Sequence, residues 1–401
     1  MSLKEFLSLL FLYKEKLLFL IKIYSLKTRS RARYKNFGVN LAGYLTTESG
    51  VGEAARSIIK ILEKTDIHFA LNNIEQRSLR SKDTTYSDLF RKDNPYSINI
   101  LHVNADMVPY VVNRLGIEWF FNKYNIGYWY WELEEFPKKW KSSLRCFDEI
   151  WVASDFCFNS ISKISSIPIT KMPPSVEVNI TRSYDRDYFG LTESSFLFLS
   201  VFDFFSIFER KNPQGIISAF KKAFGGCNEK EVNLVLKLTN SSKNKRAYSE
   251  LIKASEDLPI KIIDSYLTRD ELYGLISVSD CYVSLHRSEG FGLPIAEAMY
   301  LQKPVIATAY SGNMEFMNEK NGLLVRYDLK RIEKTAGPYK KGNYWAEPDI
   351  EHAAGLMKQI FEDRAKAKEI GVAASEYIRK NFSPEALKNR MKHVLKDIFL
   401  R

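Results

Sequence analysis

HRSEGFGLPIAEAM, residues 286–299, carries two glutamates, Glu289 and Glu297, on either side of the run Gly290-Phe291-Gly292-Leu293-Pro294. A strand-like SLH run precedes it, and Pro294 suits the opening turn of a helix. Backbone N–H groups of a glycine turn and of a helix N-terminus favour an anion, above all a phosphate or diphosphate. Gly290 and Gly292 keep side chains out of that approach. A glutamate would repel a phosphate, so Glu289 makes sense if it accepts hydrogen bonds from sugar hydroxyls. Glu297, expected within the first helical turn, is placed to accept from a second polyol such as a ribose. Sugar, diphosphate and ribose in a row make a nucleotide sugar. The spacing alone fits a well-capped helix with two surface glutamates equally well.

Outward from this stretch, short apolar strands alternate with helical segments, the pattern of a parallel α/β architecture. FGVNLAGYL from residue 37, INILHVN, NIGYWYW and EIWVA read as strands. GEAARSIIKILEK reads as a helix with Ala55, Ile58, Ile59 and Leu62 at helical spacing. A second series follows from about residue 195. Its strands are SFLFLSVF, VNLVLKLT, IKIID, CYVSLH and PVIAT, and its helices are NPQGIISAFKKAF, TRDELYGLISVS and PIAEAMYLQ. The two halves join across a seam marked by Pro168, Pro173, Pro174 and SYDRDYFG. Two helices are expected to close the chain. The second starts at Ser383-Pro384 and carries a stripe of Leu387, Met391, Val394, Leu395 and Ile398.

The chain has 401 residues, 45% of them hydrophobic and 27% charged, which suits a globular protein of more than one domain. Its four cysteines show no C-x-x-C spacing, so zinc and disulfide frameworks are not expected. The net charge of +11 is uneven: residues 1–36 hold nine Lys/Arg against Glu5 and Glu15, and the remainder is nearly balanced. Nucleic-acid binding therefore explains the charge poorly. The apolar stretches in residues 1–36 are too short to span a bilayer and no cleavage site follows them. Apolar bulk interleaved with lysines fits a helix lying on an anionic membrane surface; packing on the protein body is the alternative.

The run SVSDCYVSLHRSEGFGLPIAEAMYLQKPVIAT, residues 277–308, resembles the E-x7-E donor signature of retaining GT-B glycosyltransferases of the group 1 (family 4) class. DEIWVASDF, KMPPSVE and KNGLLV resemble further family segments, and the resemblance extends over roughly residues 37–380. It implies two Rossmann-like domains facing a cleft. The expected division is a basic amphipathic segment 1–36, an acceptor domain 37–180, a donor-nucleotide domain 190–375, and a C-terminal helix 376–401 crossing back to the first domain. It also implies that Glu289 contacts the donor sugar, that Gly290, Phe291, Gly292 and Leu293 bind the donor through their backbone, and that Glu297 holds the ribose. In FLSVFDFFSIFERKNPQGIISAF, Lys211 falls on the family lysine that neutralises the diphosphate leaving group. The family arginine position falls on Ser206, a departure, and Arg210 is the candidate to supply that charge. Gly50 and Gly52, expected just before a helix, correspond to a loop that approaches the donor phosphate.

Many members of the family place a histidine after the strand equivalent to NIGYWYW, where this chain has Tyr130 and Glu132 instead. Either takes over the polar role, or the histidine is dispensable. His102 and Asp106 lie where acceptor contacts are expected. Gly50-x-Gly52-x-x-Ala55 also fits a dinucleotide fingerprint weakly, but Asn72 and Asn73 stand where its ribose-binding acid belongs. Asp185-Arg186-Asp187 mimics a metal-binding D-x-D, yet its place at the seam argues against that role. The expectation is a retaining hexosyltransferase, with mannose a guess from the class, needing no metal or cofactor beyond its nucleotide-sugar donor. It would act on a glycan or lipid-linked acceptor in surface-polysaccharide (O-antigen type) assembly, in the cytoplasm on the inner membrane face. A sugar-nucleotide epimerase, a glycan phosphorylase and a non-catalytic nucleotide-sugar-binding protein are the rivals.

Overall fold

A computed structural model describes residues 36–75 and 80–401. The basic N-terminal segment, Asn36 apart, lies outside the described residues. The chain forms two compact units. The first comprises the described part of 1–131 together with 135–175 and 384–401; the second comprises 132–134 and 176–383.

The first unit is built on six parallel strands: β1 (Val39–Gly43), β2 (Phe69–Asn73), β3 (Ile98–His102), β4 (Tyr124–Trp129), β5 (Glu149–Val152) and β6 (Ile169–Lys171). Their order is β2-β1-β3-β4-β5-β6. Helices cover parallel sheets, so the strands read as continuous apolar runs, and β1, β3 and β4 are buried throughout. One polar ladder interrupts them. Asn40 donates to Asn99 at 2.8 Å and Asn99 to Asn125 at 2.9 Å, linking in-register positions of β1, β3 and β4. A one-residue slip would break both bonds, so the ladder pins the register. The helix Gly50–Glu63 buries Ala55, Ile58, Ile59 and Leu62, and the helix Pro384–Leu400 packs against it. That last helix buries Leu387, Met391, Leu395 and Ile398, with Val394 half-buried at the stripe's edge.

The second unit repeats the plan with β7 (Phe196–Asp203), β8 (Val232–Thr239), β9 (Ile260–Asp264), β10 (Cys281–Ser284), β11 (Val305–Thr308) and β12 (Leu323–Val325). These six are parallel in the order β12-β11-β10-β7-β8-β9. Phe196, Phe198, Phe220 and Phe224 fill the core between the sheet and the helix Pro213–Phe224. An element absent from the sequence reading follows β12: an antiparallel hairpin of β13 (Tyr327–Arg331) and β14 (Tyr344–Pro348).

Three helices close the chain rather than the expected two: Ile350–Glu362, Arg364–Phe382 and Pro384–Leu400. Asp363 divides the first pair by turning its side chain to accept from the Lys366 N–H at 2.8 Å, a cap that starts a new helix. Residues 376–401 are thus split at Ser383, with 376–382 ending a helix of the second unit and the final helix belonging to the first. Among the described residues, no helix is long and apolar enough to cross a membrane.

Gly371 sits where the helix Arg364–Phe382 presses on the turn after the helix Leu293–Tyr300, and a β-carbon there would lie 2.1 Å from the Gln302 carbonyl oxygen. Backbone cannot retreat as a flexible side chain can, so Gly371→Ala should cost ~1–3 kcal/mol despite alanine's better helix propensity. Gly355→Ala, where nothing lies within 4 Å of the added carbon, should instead gain ~0.4–1 kcal/mol. Urea unfolding of the two variants checks the opposite signs.

Candidate active site

In an open parallel sheet the crevice lies at the carboxyl ends of the strands, where the strand order reverses. In the second unit that point falls between β7 and β10, which are neighbours. After β7 the chain passes Ile207, held at φ 66°, and enters the single helical turn Phe208–Lys211. A β-branched residue at positive φ is strained, and here the strain turns Arg210 and Lys211 back over the strand ends. After β10 the chain passes His286 and Glu289 and enters the helix Leu293–Tyr300.

These two loops meet. Arg210 Nη1 lies 2.9 Å from Glu289 Oε2, and Lys211 Nζ bonds Glu289 Oε1. Arg210 also donates through Nη1 to the Ser288 carbonyl at 2.7 Å and through Nε to the Ser206 carbonyl at 3.2 Å. Its guanidinium therefore folds over Ser206, the position where the family arginine is missing. Arg210 and Glu289 are buried. Burial alone would push the Glu289 carboxyl upward, but the Arg210 and Lys211 charges outweigh it and hold that carboxyl well below the usual range. Burial pulls Lys211 below the usual amine range against the opposing charge of Glu289.

The loop that carries Glu289 is braced from the loop after β11. The Glu289 N–H donates to Ser311 Oγ at 2.7 Å, and the Gly312 N–H to the Glu289 carbonyl at 2.9 Å. A β-carbon on Gly312 would come within 2.3 Å of Gly290, so only glycine allows this crossing. His286, buried and neutral in character because burial lowers its pKa, joins Ser284 Oγ (2.9 Å) to Asn313 Oδ1 (3.0 Å). Its part is structural. Gly292, at φ 95°, precedes the helix, and among the described residues the N–H groups of Phe291, Gly292 and Leu293 have no backbone acceptor. The Phe291 ring itself is core, against Phe316 at 5.0 Å.

Glu297 is the fifth residue of its helix and so lies in the second turn, not the first as expected, because the helix begins at Leu293. Its buried carboxylate accepts from Tyr273 Oη at 3.1 Å and pairs with Arg269 at 3.3 Å. Gly50 and Gly52 lie inside the first turn of the helix Gly50–Glu63, not before it, because Ser49 is the cap and accepts from the Gly52 N–H at 3.2 Å. Gly52 is there for packing: a β-carbon would lie 2.2 Å from the Thr47 carbonyl, whereas Gly50 has open space. Buried Arg56, unremarked in the sequence, shapes this loop by donating to the Leu45 and Thr47 carbonyls at 2.9 and 3.0 Å.

Of the acceptor-side candidates, Glu132 joins the second unit and the charged cluster, accepting from Tyr339 Oη at 3.1 Å. Burial raises its pKa, with Arg210 opposing and Glu289 adding to the rise. The other three belong to the first unit. His102 is fully buried, its ring stacked on Tyr128 at 4.4 Å, and among the described residues neither ring nitrogen has a hydrogen-bond partner. Burial pushes its pKa down to about 3, so it is neutral. The Tyr130 hydroxyl is buried with no hydrogen-bond partner among the described residues, while Asp106 is exposed beyond β3. At the seam, Asp185 accepts from the Tyr188 N–H at 2.8 Å, a local turn contact. Among the described residues, no three His, Cys, Asp or Glu side chains gather in a way that could hold a metal ion.

Residues 204–377, which carry this cluster, match the family model of glycosyl transferases group 1. The second unit is a group 1 glycosyl transferase domain. Over 172 residues the chain is 27% identical to a trehalose synthase of Thermococcus litoralis, covering 42% of this chain and 36% of that protein. A trehalose synthase of Pyrococcus horikoshii is 29% identical over 135 residues, or 33% of this chain and 27% of the relative. The matched stretches span about a quarter to a third of the length of these relatives. Sucrose-phosphate synthase from Thermosynechococcus elongatus superposes with a TM-score of 0.66 at 16% identity, over 91% of this chain and 100% of that one. Anabaena HepE, solved in complex with UDP and glucose, gives 0.63 at 14% identity, over 90% and 100%. At such identities the likeness is one of fold, and the fold is GT-B: two Rossmann-like units, each with a six-stranded parallel sheet.

Glu289→Gln would leave buried Arg210 and partly buried Lys211 in the group 1 domain facing a neutral amide, a loss of ~3–5 kcal/mol near neutral pH. Because the folded carboxyl titrates below its ordinary value, the stabilisation by its charge is complete above about pH 4.5 and lost as the pH falls toward the folded value. The gap between wild type and variant should therefore narrow on acidification. Urea unfolding across that range reads the gap, and a constant gap would refute the pairing.

Proposed function

We propose that the protein transfers a hexose from a nucleotide-sugar donor to a glycan or lipid-linked acceptor. One observation supports this most: buried Arg210, partly buried Lys211 and the buried Glu289 carboxylate converge at the strand-order reversal of the group 1 domain. The carboxylate lies on the loop that leads into the helix Leu293–Tyr300, where the Phe291, Gly292 and Leu293 N–H groups have no backbone acceptor among the described residues. A diphosphate is the anion that suits both features.

In this reading the donor diphosphate competes with Glu289 for Arg210 and Lys211, and the released carboxylate accepts hydrogen bonds from the sugar. The backbone at Gly290, Phe291, Gly292 and Leu293 receives the phosphates, and Glu297 binds the ribose. As the bond between the anomeric carbon and the phosphate oxygen breaks, charge grows on the leaving nucleoside diphosphate, and the two cations stabilise it. The acceptor hydroxyl attacks from the same face with retention of configuration and gives its proton to the departing phosphate oxygen. The exposed rim beyond β3, with Asp106, is the proposed acceptor surface of the first unit. The reaction as proposed needs no metal, so activity should survive chelation by EDTA. Residues 1–36 are proposed to hold the enzyme on the anionic inner face of the cell membrane.

Thermal-shift screening against UDP-, GDP-, ADP- and dTDP-sugars, followed by release of nucleoside diphosphate in the presence of acceptor glycans, tests the reading. Lys211→Ala should lower kcat by about 10²–10³ while the protein stays folded. Turnover within a few-fold of wild type would count against the cationic clamp. Liposome flotation separates the membrane part: removing residues 1–30 should abolish binding to anionic vesicles, and equal binding without them would refute it.

A further inference from the structure

The hairpin β13–β14 is no part of the parallel sheet, yet it reaches the charged cluster. Its base is latched by Arg287, which makes two bonds to the Glu347 carboxylate, at 2.9 and 2.8 Å, and accepts from the Ala346 N–H at 3.0 Å. The same Arg287 donates to the Glu209 carbonyl at 2.6 Å, and its N–H donates to the Arg210 carbonyl at 2.8 Å. One residue, through its backbone and side chain, thus ties the hairpin to both loops that carry the cations and Glu289. Beyond this latch the chain makes a tight turn, with Ala336 and Tyr339 exchanging backbone hydrogen bonds at 3.0 Å across Gly337-Pro338. Gly337, at φ 55°, approaches the strained Ile207 so closely that a β-carbon would lie 2.5 Å from its Cδ1. The turn delivers Tyr339, which is 3% exposed, with its ring 6.0 Å from the Arg210 guanidinium and its hydroxyl 3.1 Å from Glu132 Oε2.

We infer that Tyr339, carried into the cluster by the hairpin, is a positioning residue that sets the place and ionisation of Glu132 for the transfer reaction. The inference rests on the transferase reading. Four groups face Glu132: Tyr339 from the hairpin, Arg210 and Lys211 from the turn after β7, and Glu289 from the loop after β10. Burial and Glu289 favour the protonated carboxyl; Arg210, the Tyr339 hydroxyl and Lys211 favour the carboxylate. When a donor diphosphate draws the two cations to itself, the Tyr339 hydroxyl is the remaining group that holds Glu132 ionised. An ionised Glu132 is an acceptor for a hydroxyl of the reacting sugars, in the region where other family members are expected to carry a histidine. Tyr339 touches no substrate in this scheme and acts through Glu132.

Tyr339→Phe keeps the ring against Arg210 and removes only the hydroxyl, so the variant should fold as wild type does. The full-length protein with ¹³C-carboxyl glutamate, with Glu132→Gln used to assign the resonance, gives the Glu132 titration by NMR without any substrate. Losing one hydrogen bond to a charged acceptor should raise its midpoint by about one pH unit. In kinetics with the donor identified by screening, the acid limb of kcat/KM should move upward by the same amount in Tyr339→Phe and vanish in Glu132→Gln. The donor KM should stay within about twofold, because the cations and backbone that bind the diphosphate are untouched. An unmoved Glu132 midpoint in Tyr339→Phe, or an acid limb that persists in Glu132→Gln, would overturn the inference. A midpoint that moves in a protein that transfers no sugar would instead overturn the transferase reading and confine Tyr339 to tuning the carboxyl.

Discussion

Arg210 and Lys211 are cations in a largely desolvated place, and Glu289 is what makes them tolerable there. Removing two such charges from water costs several kcal/mol each unless a close counter-charge and further hydrogen bonds compensate. Compensation here comes from a carboxylate contacted on both oxygens, one by each cation, and from the Ser206 and Ser288 carbonyls that take further guanidinium donors. The arrangement constrains the chain on every side. It requires a backbone reversal at Ile207 that a β-branched residue resists, and a glycine at 312 where one loop crosses another. Such local costs are retained when the surrounding structure over-determines them. The parallel sheet does so here, because its strand order places the ends of β7 and β10 side by side.

A single residue, Arg287, transmits that constraint outward. It bonds backbone on the loop after β7 and on β14, and a carboxylate on β14. The guanidinium fork suits this work, because its donors are fixed in a plane and satisfy several acceptors at once. Burial would raise the Glu347 carboxyl, but Arg287 and Lys330 hold it below its usual range, as expected for a pair that remains charged. A lysine in place of Arg287 would give a point charge without the fork, and the hairpin would lose its registry with the cation-bearing turn.

Much of the fold is legible from periodicity alone. Apolar runs of five to eight residues bounded by polar loops mark both sheets, and Ser383-Pro384 announces the final helix. The glycine turn before Leu293 likewise reads directly as a helix start. What escapes is what depends on contact between remote residues. Tyr339 and Glu132 lie 207 positions apart, and nothing local in GPYKKGNYW indicates that its tyrosine will be buried beside an arginine. The hairpin was hidden for a related reason: β13 is exposed along most of its length, so it lacks the alternation that marks a half-buried strand. Helix boundaries misled by smaller amounts. Gly50 and Gly52 look like loop residues by composition, but the Ser49 cap recruits them into the helix.

The two sheets carry different chemistry at their corresponding rims, and the reason lies in how each treats its buried arginine. In the first unit Arg56 gives its donors to the Leu45 and Thr47 carbonyls of its own loop, and pairs with Glu53 at 2.9 Å and Asp83 at 3.1 Å. Both carbonyls and both acids are fixed parts of the wall, so the charge is committed to structure. His102 nearby is neutral and the Tyr130 hydroxyl has no hydrogen-bond partner among the described residues, so neither adds a charge beside β3 and β4. In the second unit the cations share one carboxylate on a loop beside the Phe291, Gly292 and Leu293 N–H groups, which have no backbone acceptor among the described residues. An incoming anion with several oxygens can replace that carboxylate without leaving the cations bare. The first arrangement resists exchange and the second permits it, and exchange of charge partners is what binding and releasing a phosphorylated ligand demands.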